Sequence, residues 1–220
     1  PHYPSYTQDP TKIAKHHAST YPEVVEKARE MGAEIYFVDE AAVRTDAHRG
    51  LTWGAVGETP VVKDSGGRFG FKLISAVTAR GDMRFSTIEG KMNSARFIQF
   101  LKKLRKDAGR PIIVIAENAR YHHSKETGQF FEEHSDDYFM AFLPPYSPEL
   151  NPDEQVWNHA KARLGKLPIT SAKAMKKSML SIMRSIQKNK SLVKSFFRLP
   201  DTRYISEPIN FPSGGLNHRL

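Results

Sequence analysis

The chain has no cysteine among its 220 residues, so a disulfide or a thiolate-bound metal centre is not available to it. Long apolar runs are missing too. The longest is about six residues, far below the roughly 20 needed to cross a bilayer as a helix. No charged-then-apolar leader opens the sequence. These absences fit a protein of a reducing compartment, and the expected location is the cytoplasm, associated with the nucleoid in a bacterium. A third absence is local. From Gln155 to Pro200 there are eleven Lys or Arg and no Asp or Glu. A merely solvated surface intersperses both signs, so this stretch reads as a face for phosphates.

At 39% apolar and 26% charged residues, the composition is that of an ordinary globular protein with enough length to bury a sizeable core. The net charge of +9 and pI near 9.6 favour a polyanionic partner, double-stranded DNA first. The first residue is Pro1 rather than Met, which suggests a fragment lacking an N-terminal domain.

Residues 1–19 read as a tether or linker remnant, rich at first in Pro and Tyr. Thr20-Tyr-Pro-Glu23 has capping-box spacing and opens an expected helix to about Met31, stopped by Gly32. Ala33–Val38 is a strand that delivers Asp39. Segments 51–54, 59–63, 68–79 and 82–89 alternate or are β-branched and read as an antiparallel meander, with a hairpin at 65–70. A helix is expected from Asn93 to about Lys106, with Phe97, Leu101 and Leu104 on its core face. Pro111–Ala116 is a buried strand, Ser124–Glu133 a helix and Tyr138–Leu143 a strand. Helices over about 153–164 and 171–188 follow. In the second, Met175, Met179, Ile182 and Ile186 form a packing stripe rather than a cofactor box. An antiparallel meander running into β-α-β units implies an α/β fold. Its mixed sheet is flanked by helices, with ligands gathered at the carboxyl ends of the parallel strands.

That geometry singles out three acids. Asp39 ends or nearly ends the first strand, Glu117 follows the buried run IIVIA, and Glu154 starts the helix after the Pro-rich loop. Crowded carboxylates repel one another unless a cation neutralises them. A site of oxygen donors without thiolates suits Mg²⁺ or Mn²⁺, and two such ions support phosphodiester chemistry. Each acid also has a plain structural reading. Asp39 could cap a turn, Glu117 could pair with Arg120, and Glu154 could serve the helix dipole.

The wording around the acids says more. FVDEAAVR (37–44), LPPYSPELNPDEQVWNHAK (143–161), ENARYHH (117–123) and FFRLPDTRY (196–204) resemble the catalytic core of DDE transposases of the mariner-like insertion-sequence superfamily. The resemblance covers about residues 20–205. It implies an RNase H-like catalytic domain with basic C-terminal helices, a tail from 206 to 220, two Mg²⁺ or Mn²⁺ ions, a homodimer, and an N-terminal helix-turn-helix domain outside this chain. It implies cleavage at transposon ends and strand transfer into target DNA. Asp39 matches the family's first aspartate and Glu154 its third acid, while Asp153 stands at the variable position before it. Glu117 aligns with the second acid at the usual mid-thirties spacing, but the family has Asp there.

Glutamate adds a methylene and moves the carboxylate by roughly 1 Å, and a misplacement of that size can cost on the order of 100-fold in rate. A compensating backbone, a decayed or domesticated element, and an inactivating substitution all account for Glu117. His48, Arg49, Arg120, His122, His123, Lys161, Arg163, Lys173, Lys176 and Lys177 are the candidate DNA contacts. A lone RNase H-like nuclease or resolvase, and a domesticated DNA-binding protein without a metal site, are the rival functions.

Overall fold

Residues 8–44, Gly57 and 70–206 are described by a computed structural model. Among them, five strands form one sheet of order β3-β2-β1-β4-β5. They are β1 (Glu34–Arg44), β2 (Gly70–Val77), β3 (Met83–Ile88), β4 (Ile112–Ala116) and β5 (Tyr138–Phe142). β1 pairs antiparallel with β2 and, over Glu34–Phe37, parallel with β4; β4 continues parallel to β5. The expected mixed sheet of a meander plus parallel strands is what forms. Of the expected meander, 68–79 and 82–89 correspond to β2 and β3. Segments 51–54 and 59–63 and all of the 65–70 hairpin except Gly70 lie outside the described residues.

Side-chain alternation divides the sheet into two faces. Tyr36, Val38, Ile74, Ala76, Ile112 and Val114 pack against α3 (Ser94–Ala108) and α4 (Lys125–Glu133). Phe37, Ala41, Leu73, Val77, Ile113 and Ile115 pack on the other face, against α2 (Tyr21–Met31), α5 (Pro152–Leu164), α6 (Ala172–Lys188) and α7 (Lys190–Ser195). All five residues of β4 are buried, as its unbroken apolar run requires when helices cover both faces. Phe97, Leu101 and Leu104 of α3 are buried as their spacing predicts, and so are Met175, Met179, Ile182 and Ile186 of α6. Asn93 caps α3 through a bond from Arg96 N, and Gly109 ends it at φ 69°, where a β-carbon would be strained. Asn189 reopens the chain as α7, an element the sequence pattern does not announce, by accepting from Leu192 N.

The N-terminal expectation needs correction. Helix begins at Pro10 as α1 (Pro10–Lys15), capped by Asp9, which accepts from Thr11 N at 3.0 Å. It runs through a π-turn at His16–Thr20 into α2. Thr20 has helical backbone angles and no side-chain cap, so the capping box does not form. Pro22 lacks the N–H that would complete this turn, and the wider π-turn absorbs the break. His16 is buried against Tyr21 and Tyr204, which draws residues around it onto the domain. Among the described residues no helix is long and apolar enough to cross a membrane.

Candidate active site

Strand parity assembles the site. Asp39 and Ser75 face each other in the β1–β2 register, two residues beyond Phe37 and Leu73, so both side chains lie on the α5 side of the sheet. Glu117 follows β4 two positions after Ile115, which packs on that same side. α5 starts there, with Pro152 in its first turn and Asn151 as its cap. Asn151 is fully buried and uses both ends of its amide. Oδ1 accepts from Asp153 N at 3.0 Å, while Nδ2 donates to Val38 O at 3.2 Å. The first turn of α5, carrying Glu154, is therefore pinned to the backbone next to Asp39.

The loop ahead of α5 is held along its length. Leu143 N bonds Ala116 O at 3.0 Å and Asn118 Nδ2 donates to Leu143 O at 3.2 Å. Tyr204 Oη donates to Leu150 O at 3.1 Å, and Gln8 Nε2 bonds Glu149. Both the N-terminal segment and the FFRLPDTRY stretch thus brace the turn that presents Glu154. In the same loop Tyr146 stands exposed with φ 58°, a left-handed conformation uncommon for a residue with a β-carbon.

The carboxyls feel one another. Loss of hydration, then the charges of Glu154 and Asp153 and more weakly Glu117, raise Asp39 well above the usual aspartate range, although the Glu40 amide opposes this. Glu117 is raised by loss of hydration and by Glu154 and Glu149. Glu154 is raised by loss of hydration against the pull of Lys161. Neither the Glu117 nor the Glu154 carboxylate has a hydrogen bond or salt bridge with the described residues, so the pairing of Glu117 with Arg120 is not made. No three His, Asp or Glu among the described residues already converge closely enough to hold a metal ion. The donor set still suits one. Its donors are all oxygen, Asp39 carries the repulsion a cation would relieve, and Glu117 and Glu154 have no side-chain partner among the described residues.

The other candidates separate. His122 is buried, packed on Phe97 and Tyr121, and its Nδ1 donates to Glu117 O at 2.6 Å; burial lowers its pKa to about 4, so it is neutral. It shapes the strand end and does not face solvent, contrary to its reading as a DNA contact. His123 is exposed, stacked on Phe142 and bonded to Asn118 Oδ1 at 3.1 Å. Arg120 is exposed beside it. Lys161 reaches the field of Glu154, Arg163 donates to Ser185 Oγ at 3.3 Å, and Lys173, Lys176 and Lys177 lie on the exposed side of α6. His48 and Arg49 lie outside the described residues. Trp157 is fully buried core. Asp153, set aside in the sequence, is fully buried, with Ser75 Oγ within 2.9 and 2.8 Å of its two carboxyl oxygens. Only the strand register could have revealed that Ser75 lies beneath it.

Residues 34–176, a span running from the start of β1 into α6, match the family described as DDE superfamily endonuclease. The chain belongs to that family. Among solved structures this DDE-family chain is similar to the Mos1 transposase paired-end complex with left transposon end. The TM-score is 0.66 at 13% identity, over 94% of this chain and 65% of that one. It is also similar to the catalytic domain of Mos1 mariner transposase, with TM-score 0.62, 13% identity, and coverage of 94% and 96%. A third likeness is to the Mos1 mariner paired end complex with Mn, at TM-score 0.63 and 14% identity. At such identities the likeness establishes the fold, which is that of the Mos1 catalytic domain. The chain spans about two thirds of the Mos1 chain in the complexes. No curated protein matches the sequence.

Proposed function

We propose that this chain is the catalytic domain of a mariner-like DNA transposase, which hydrolyses phosphodiester bonds at transposon ends and joins the freed 3′-hydroxyl to target DNA. The observation that carries it is that Asp39, Glu117 and Glu154 stand on the α5 side of one sheet, with the charge of Glu154 bearing on both of the others, in a chain of the DDE endonuclease family. Asp39, Glu117 and Glu154 would hold the two Mg²⁺ or Mn²⁺ ions. When bound, the ions would supply an activated oxygen nucleophile and neutralise charge on the reacting phosphate. The chain's own residues do the rest. Asn151 and the braced loop fix Glu154 relative to Asp39, and the Asn118–Leu143 bond and His122 fix the backbone at Glu117. The basic end of α5 and the basic helix α6 track the phosphate backbone, with the charge of Lys161 felt at Glu154. A homodimer and a separate N-terminal end-binding domain complete the proposed assembly.

The test is Glu117→Asp, assayed for cleavage and strand transfer on DNA carrying the element's ends, with Mg²⁺ and with Mn²⁺. A gain on the order of 100-fold is expected if glutamate displaces a ligand by about 1 Å. Cleavage without strand transfer would support a nuclease or resolvase. DNA binding without cleavage by either variant under either metal would support a domesticated binding protein.

A further inference from the structure

Asp153 is the most deeply buried carboxyl near the site, and its neighbours say what it does. It has no exposed surface, yet no cation pairs with it among the described residues. A buried carboxyl is costly unless hydrogen-bonded, and here Ser75 Oγ, at 2.9 and 2.8 Å, bridges both oxygens. Burial raises this carboxyl well above the usual aspartate range, and Ser75 and, more weakly, the Asp39 amide oppose that. Ser75 is the β2 residue directly opposite Asp39, and Asp153 immediately precedes Glu154. One side chain therefore bonds the strand partner of the first candidate ligand and belongs to the turn carrying the third. Asp153 is not placed to be a ligand itself. It points into the seam between helix and sheet, and Ser75 occupies its oxygens.

We propose that Asp153 is a positioning residue which, locked to Ser75, sets the separation and direction of the Asp39 and Glu154 carboxylates for metal binding. The proposal rests on the metal-site reading above. It adds a second strut to the one made by Asn151: Asn151 ties α5 to the β1 backbone, and Asp153 ties it to β2 across the Asp39–Ser75 pair. Outer-sphere partners that orient ligands change metal affinity by about 10- to 100-fold when removed, and residues acting as one unit lose non-additively.

The experiment measures the Mn²⁺ dissociation constant from free Mn²⁺ by electron paramagnetic resonance, in metal-stripped protein of verified fold. Asp153→Ala is expected to weaken Mn²⁺ binding about 10-fold or more. Ser75→Ala should weaken it in the same direction, and the double variant should be no worse than Asp153→Ala alone. Asp153→Asn, which keeps an acceptor for Ser75 but no charge, should recover most of the affinity; this separates positioning from simple loss of a negative charge. Where Asp153→Ala fails to fold, Ser75→Ala and Asp153→Asn carry the test, and Ser75→Ala must still weaken binding. Unchanged Mn²⁺ affinity in the folded variants, additive losses, or no recovery with asparagine would each overturn the proposal while leaving the metal site standing. A parent chain that binds no Mn²⁺ would overturn the metal-site reading and this proposal together.

Discussion

Replacing Asn151 with alanine removes two hydrogen bonds at a point where no water can stand in. The first loss is the cap on α5, the bond from Asp153 N at 3.0 Å, worth about 1 kcal/mol. The second is the bond to Val38 O at 3.2 Å in a fully buried position. A buried carbonyl left without its donor costs about 1–3 kcal/mol. Together these give a loss of about 2–4 kcal/mol. For a domain of this size each kcal/mol shifts Tm by about 2–4 °C, so a fall of about 4–16 °C is expected. Asn151→Ser separates the two terms, because a serine hydroxyl still caps the helix but does not reach Val38. It should recover only the capping share, about 1 kcal/mol. Urea denaturation followed by circular dichroism measures all three proteins. A loss below about 1 kcal/mol for Asn151→Ala, or full recovery with serine, would refute the claim that this amide pins α5 to β1.

Asp39→Asn should raise the Tm of the metal-free protein while abolishing metal binding, because it removes the carboxylate that Glu154, Asp153 and Glu117 repel; a drop in Tm in thermal melts would contradict the repulsion. His122 has a folded pKa of about 4 against 6.5 in the unfolded chain, so the unfolded state takes the proton first. The stability His122 contributes at pH 7 should then fall by up to about 3 kcal/mol as pH drops from 6.5 to 4. The stability difference between the parent and His122→Asn isolates this from the raised carboxylates, which act in the opposite direction, and a pH-independent difference would count against it. Replacing Lys173, Lys176 and Lys177 together with alanine should flatten the slope of log K for DNA against log salt by about 2–3 if each meets a phosphate. Filter binding across a salt series reads it, and an unchanged slope would remove α6 from the interface.

Much of this fold is legible residue by residue. β4 had to be a strand covered on both faces because IIVIA offers no polar side. α3 and α6 had to be helices because Phe97, Leu101 and Leu104, and likewise Met175, Met179, Ile182 and Ile186, repeat at helical spacing. The Pro-rich loop and Pro152 announced where α5 begins. Glu117 and Glu154 could be picked out as candidates because each stands at an element end, whereas Asp39, expected to end or nearly end the first strand, lies inside β1, which runs on to Arg44 through its pairing with β2; the sequence also offered many other acids and no distances. The N-terminal helix was less legible because its start depends on Asp9 and on His16 finding Tyr204, a residue almost the whole chain away.

The sequence by itself therefore determined the periodic elements, the basic helical face and the choice of oxygen donors, since these follow from local pattern and composition. Only the tertiary structure decided that His122 turns inward to hold the Glu117 backbone. It also decided that Asn151 reaches Val38 and that Asp153 lies buried on Ser75. Those outcomes depend on which strands become neighbours and in what register, and register is a property of the packed sheet that no local stretch of chain contains.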